Sequence, residues 1–179
     1  MLPTFETERL FIRPRTMKDF EDCITMDRDP DVTKFLPGPW NDDDRHRRFL
    51  TERMTTDFGD NLGYWSIFEK SNPDKFLGWV LLIPHNAAGP DVEIGWRFNR
   101  HVWGKGIATE AAKPVLAHGF HTSLTDRIIA DIDPANEGSK RVAEKIGLKP
   151  IGENLENGHL FLSYVLTRAE FSPHSSKTS

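Results

Sequence analysis

Gly104 and Gly106, separated by one residue, stand between a segment of period two and a helix-competent run of small residues. The run reads Trp103-Gly104-Lys105-Gly106-Ile107-Ala108-Thr109-Glu110. Just before it, Val92-Glu93-Ile94-Gly95-Trp96-Arg97-Phe98 alternates as a half-buried strand does. A chain that leaves a strand through glycines and enters a helix exposes backbone N–H groups without partners. Those donors and the helix dipole attract an anion, and phosphate is the usual guest. A side chain at either glycine would hold the anion away from the backbone. The pattern therefore points to a pyrophosphate cradle, with a plain tight turn as the competing reading. Gly-x-x-x-x-Gly-Lys-Ser/Thr does not occur here. Thr109 stands where a dinucleotide fingerprint would place its third glycine, so neither common nucleotide motif is present.

Strands and helices must position this turn. Residues 9–14 read as a first strand closed by Pro14. Thr16 is an N-cap with Asp19 three residues on, heading a helix over residues 17–27. Cys23 falls on that helix's apolar spacing with no basic partner beside it, which makes it a small core residue rather than a nucleophile. Asp29-Pro30-Asp31 breaks the helix, and a loop punctuated by Pro and Gly carries Phe35 and Trp40. Asn41 caps a second helix whose basic cluster, Arg45-His46-Arg47-Arg48, reads as a solvated face. Residues 64–69 and 76–83 form two strands joined by a turn at 71–74. The helix starting at Lys105 meets Pro114, which predicts a kink or an early break. Residues 127–133 form a strand, and residues 136–146 a helix ended by Gly147. Asn157-Gly158 is a hairpin turn between two last strands. Phe35, Trp40, Trp65 and Trp79 are aromatic enough to line a pocket, with the core as the expected place for each.

The chain has 179 residues, 27 acidic against 23 basic, and a formal net charge of −4. That length fits a single domain over residues 1–171, with 172–179 as a disordered tail. The mixed charge argues against a polynucleotide binder. No apolar run approaches a membrane span, no signal peptide opens the chain, and Cys23 is the only cysteine. A cytoplasmic location is the expectation. His118 and His121 share an i,i+3 spacing, but nothing completes a metal site around them, and no metal is expected. Periodicity alone gives an α/β or α+β fold.

Four segments then act jointly: Glu6-Thr7-Glu8-Arg9-Leu10-Phe11-Ile12-Arg13-Pro14, Glu93-Ile94-Gly95-Trp96, the glycine run through Ala111, and Asn136-Glu137-Gly138-Ser139-Lys140-Arg141-Val142-Ala143-Glu144-Lys145-Ile146-Gly147-Leu148. In this order and spacing the chain resembles the GNAT superfamily of acyl-CoA-dependent N-acyltransferases, and within it the Rim-type group that acetylates ribosomal-protein N-termini. The resemblance spans residues 4–168. It implies the GNAT fold, a mixed and mostly antiparallel sheet of about six to seven strands flanked by helices. In that fold the fourth and fifth strands splay, and the pantetheine arm of acyl-CoA lies in the opening.

The expected activity is N-acetyl transfer from acetyl-CoA to a primary amine, either a protein N-terminal α-amino group or a small molecule. No covalent enzyme intermediate is expected. The alternative is a non-catalytic acyl-CoA-binding module of the same fold, and homodimerisation is left open. Such a transfer needs a base for the ammonium, donors for the oxyanion and a proton for the departing thiolate. Glu93 is the candidate base, on the strand face opposite Val92 and Ile94 and beside Gly95, whose missing side chain leaves room. A salt bridge to Arg97 is the competing role. The resemblance assigns pyrophosphate binding to the backbone of Trp103, Gly104, Lys105, Gly106, Ile107 and Ala108. His101 stands where the family usually has Gln or Arg, and Arg100 could substitute. It also assigns Asn136 to the pantetheine amides and places Ser139 near the leaving sulfur. Many family members have a tyrosine acid at the position of Ala143, which leaves Ser139, or a water it holds, as the candidate acid. A cap at the helix start is the plainer role for both residues.

Overall fold

Alternating apolar residues dictate the centre of the molecule. The computed structural model describes residues 1–122 and 125–171. Its strands are β1 (Phe5–Glu6), β2 (Leu10–Pro14), β3 (Gly63–Glu69), β4 (Asn72–Pro84), β5 (Val92–Phe98), β6 (Arg127–Ile132), β7 (Lys149–Glu156) and β8 (His159–Thr167). They form one 8-stranded sheet in the order β1-β2-β3-β4-β5-β6-β8-β7. Every neighbouring pair is antiparallel except β5 and β6. The sheet therefore exceeds the expected six to seven strands. The additional strand, β1, has 2 residues paired with Phe11 and Ile12, too short to leave a periodic signal.

The helices are α1 (Phe20–Asp27), α2 (Pro30–Thr33), α3 (Asp43–Thr55), α4 (Ile107–Thr122) and α5 (Glu137–Lys145). Several boundaries correct the sequence reading. Residues Met17–Asp19 form a separate 3-10 turn ahead of α1, and a single helical turn, α2, follows Asp29. Asp42, not Asn41, caps α3: its carboxylate accepts from the Arg45 N–H at 3.0 Å. The strand expected at 76–83 begins at Asn72, so the turn contracts onto Lys70 and Ser71. Helix α4 starts at Ile107 and runs unbroken through Pro114. Proline costs about 3 kcal/mol in a helix interior, and the packing around it outweighs that. Ala111, Ala112, Val115 and Leu116 are at most 2% exposed. The hairpin at Asn157-Gly158 is as expected, with φ of 49° and 79°. The tail at 172–179 lies outside the described residues.

Strand β4 shows why the sheet has two covered faces. Val80 and Leu82 join Ile12, Trp65, Ile94 and Ile128 under α4. Trp79, Leu81 and Ile83 join Tyr64, Phe68 and Phe76 under α1 and α3. A strand buried on both sides reads as one apolar run, as Phe-Leu-Gly-Trp-Val-Leu-Leu-Ile does. Cys23 sits fully buried in the second cluster, where burial pushes its thiol up to about 12.

One polar knot ties α1 to the sheet. Asp19, 2% exposed, accepts from both Arg13 Nη atoms (2.9 and 2.6 Å), the Thr16 N–H (2.9 Å) and Ser66 Oγ (2.9 Å). Burial pushes its carboxyl up, but these donors outweigh that and hold it below its ordinary value. Asp19→Ala strands all of them at once and is expected to cost about 2–3 kcal/mol, read as a lower Tm. A carboxylate with a depressed value stabilises the fold above its unfolded pKa and loses that contribution as pH falls through the folded one. The gap between wild type and variant should therefore close under acid; a gap independent of pH would refute the role.

Candidate active site

Strands β5 and β6 pair only through Val92↔Ile128 and Glu93↔Ile129. Counted from Leu10 they are the fourth and fifth strands, and they part as expected. Beyond Glu93 the edge of β5 has no strand beside it on that side, and a cleft of about 900 Å³ opens. Glu93, Trp103, Gly104, Gly106, Ile107, Ala108, Asn136 and Ser139 all line it. Lys105 does not: its side chain is exposed and its carbonyl is held by Arg9 Nη1 at 3.0 Å.

The glycine turn is built for donors. The Trp103 N–H is already spent on Arg100 O (3.1 Å), closing a 3-10 turn, so the free series begins at Gly104 rather than Trp103. From Gly104 to Thr109 no backbone N–H meets an acceptor among the described residues; the first α-helical bond runs from Glu110 N to Gly106 O. Gly104 and Gly106 have φ of 72° and 75°, the left-handed region that other residues rarely adopt. The turn is clamped from the bend between β1 and β2. Glu110 accepts from Thr7 Oγ1 (2.5 Å), Arg9 N (3.0 Å) and Arg9 Nε (2.7 Å), while Arg9 also reaches the Lys105 carbonyl. Arg100 is tied to Asp29 and Asp31 at 3.1 and 2.8 Å, so its charge is committed beside α2; His101 is exposed.

At the start of α5, Asn136 Oδ1 accepts from the Ser139 N–H at 3.1 Å, the N-cap geometry. The Asn136 side-chain NH₂ and the Ser139 hydroxyl have no partner among the described residues, and both residues face the cleft. Ala143 is fully buried.

Glu93 stands at the fork. It has no hydrogen bond or ion pair among the described residues, because Arg97 pairs instead with Asp27 at 2.7 Å. Burial pushes its carboxyl up to about 7; Asp131 and Glu156 push the same way, and His85 and Arg53 oppose them. A carboxylate of that strength is half ionised near neutrality and can take a proton. Gly95 lines the cleft, and a Cβ there would also meet Leu81 of β4 at 3.2 Å.

Other residues enter the cleft that local pattern did not single out. His85 Nε2 lies 2.9 Å from Asp131 Oδ2, and Ser163 Oγ donates to Asp131 Oδ1 at 2.5 Å. The polar signal was Asp131 itself, alternating with Ala130 and Ile132. His46 is not on a solvated face. It is 1% exposed, with Nε2 at 3.1 Å from Asp27 Oδ2. Phe35 and Trp40 line the cleft rather than the core, and Arg97 is stacked between Trp40 (4.8 Å) and Trp79 (5.0 Å). Trp65 and Trp79 are core residues, Trp79 reaching the cleft as well. His118 is buried and bonded to Asn61 O at 3.0 Å. Among the described residues no cluster of three or more His, Cys, Asp or Glu is placed to hold a metal ion, and no helix is long and apolar enough to cross a membrane.

The chain is similar to known proteins in sequence and fold. A family model described as an acetyltransferase (GNAT) domain matches residues 9–149. YkkB of Bacillus subtilis is 35% identical across 76% of this chain and 81% of its own length. The N-acetyltransferase YnaD of the same organism, itself uncharacterized, is 32% identical over 82% of each. The crystal structure of a GNAT-family acetyltransferase from Bacillus anthracis superimposes with a TM-score of 0.76 at 28% identity, covering 94% of this chain and all (100%) of that one. A cradle of free amides, a splayed strand pair and a family model spanning most of the sequence agree: the chain belongs to the GNAT acetyltransferases.

Proposed function

We propose that the protein transfers the acetyl group of acetyl-CoA to a primary amine, with Glu93 as the general base. The observation that carries this is Glu93 itself, an unpaired carboxylate raised to about 7 at the point where β5 and β6 part. The amides from Gly104 to Thr109 would bind the pyrophosphate, and the free NH₂ of Asn136 the pantetheine. An acceptor ammonium entering the cleft loses its proton to Glu93, directly or through a water. The neutral nitrogen then attacks the thioester carbon, and its lone pair forms the new C–N bond. The carbonyl π pair moves to oxygen and returns as the C–S bond breaks. The sulfur leaves as thiolate and takes a proton from Ser139 or a water it holds, and the nitrogen, cationic after attack, gives up its second proton to replace the one donated to sulfur. The acceptor is a small-molecule amine or a protein N-terminal α-amino group.

The first test is binding. Saturating CoA is expected to raise Tm by roughly 5–10 °C, because a ligand held only by the folded state stabilises it by mass action. No shift at millimolar CoA refutes the reading. The second is release of free thiol from acetyl-CoA against a panel of amines, which a protein that only bound the cofactor would not produce.

A further inference from the structure

We propose that the amine acceptor also carries a carboxylate, recognised by the guanidinium groups of Arg15 and Arg53 on the cleft wall facing Glu93. This rests on the acetyl-transfer reading and narrows its substrate to a zwitterion.

The polar groups at that end of the cleft are paired off almost completely. Asp27 is held by Arg97 and His46, Asp131 by His85 and Ser163, and Asp133 by His159 at 3.0 Å. Glu156 accepts from the Asn86 amide at 2.8 Å. Among the described residues the cleft-lining charges there without an ion pair are the carboxylates of Glu93 and Glu156, the ammonium of Lys34, which lies over the Phe35 ring at 5.3 Å, and the guanidiniums of Arg15 and Arg53. Arg15 packs 3.6 Å over the Tyr64 ring and donates to Arg53 O at 3.2 Å. Burial draws its ionisation down, outweighing the opposing pull of Tyr64, Cys23 and the carboxylates of Asp27 and Asp19, none of which forms an ion pair with it. Arg53 reaches the same wall from the last turn of α3.

These groups form one constellation. The phenol of Tyr64 has Arg15, Arg53, Arg97 and Glu93 as its charged neighbours. Arg97 is already neutralised by Asp27, so this wall offers an anion the two planar donor forks of Arg15 and Arg53, across from the Glu93 carboxylate. Guanidinium forks match a carboxylate in shape as well as charge. A second ammonium, as in a polyamine, would meet two like charges if it lay at that wall. The unpaired cations of α5, Arg141 and Lys145, belong to the other end. Lys145 shares a depression with Gly106 and Thr109 at the start of α4.

The test is thiol release from acetyl-CoA with L-amino acids, each beside its C-terminal amide, with spermidine as the dication. Tripeptides with an acidic second residue distinguish a protein N-terminus from a free amino acid as the source of the carboxylate. The acids are expected to exceed their amides about ten-fold or more in kcat/KM. Arg53→Gln, at a half-buried site near the end of a helix, should raise KM for the best acid about ten-fold with little change in kcat, and Arg53→Lys should recover part of the loss. The amide should respond little to either change. An acid-to-amide ratio near one in wild type, faster turnover of spermidine, or a ratio that Arg53→Gln leaves intact would overturn the proposal while acetyl transfer stands. No thiol release with any amine would overturn both.

Discussion

Glu93→Gln is expected to lower turnover at pH 7 by about a hundred- to ten-thousand-fold, the contribution of a positioned base, while acetyl-CoA affinity changes little. The substitution keeps shape and hydrogen bonding and removes the basic site. An amine with a pKa near 10.4, the ordinary value for lysine, is almost wholly protonated at neutral pH and cannot attack a thioester. Glu93, pushed up to about 7, is protonated on the acid side of that value and basic above it. Wild-type activity should therefore rise with pH through about 7 and level off. In the variant that bend disappears, and the rate should climb with the free-amine fraction, so the deficit shrinks as pH rises. Full turnover in Glu93→Gln across the neutral range would remove the base assignment.

Gly104→Val and Gly106→Val should each abolish detectable CoA binding in a folded protein, measured by calorimetry beside a circular dichroism spectrum. Both positions have positive φ, which costs a β-branched residue about 1–3 kcal/mol. The side chains meet little else: a Cβ at 104 has nothing within 4 Å, and one at 106 has only Arg9 Nη2 at 3.6 Å. The new methyl groups would instead fill the space in front of the amides, where phosphate oxygens must sit. Wild-type affinity in both variants would show that the turn is structural and nothing more.

What the sequence disclosed was set by how local each signal is. Seven strands were legible, β5 from its period of two, β4 as an apolar run and the last pair from the Asn157-Gly158 turn between them, and the glycine turn and Asn136 announced themselves because a cap or a left-handed turn is written in adjacent residues. The Arg9–Glu110 clamp joins positions 101 apart, and Arg97–Asp27 positions 70 apart, and no local pattern encodes such a pairing. His46 was within reach: it lies one helical turn before Leu50, both on the buried stripe of α3, but the arginines around it masked that spacing. Asn41 and Asp42 are both good caps, and only the accepted hydrogen bond decides between them. Pro114 misled because propensity is local while the packing that overrides it is not. The wall of Arg15, Tyr64, Trp79 and Arg97 comes from the end of β2 and from strands β3 to β5, and its paired and unpaired charges became visible only in three dimensions.

The ladder of two residue pairs between β5 and β6 also bears on how such a chain can diversify. In a fully paired sheet a one-residue slip in one strand turns every side chain over and propagates to its neighbours. Here the registers of β1–β5 and of β6, β8 and β7 are nearly independent. The first group, with α1 to α3, carries Arg15, Trp40, Arg53, Tyr64 and Trp79, while the second, with α5, carries Asn136 and Ser139. Substitutions in the wall of the first group can therefore leave Asn136 and Ser139 in place, while the amides of Gly104 to Thr109, which follow β5, stay tied to the first group.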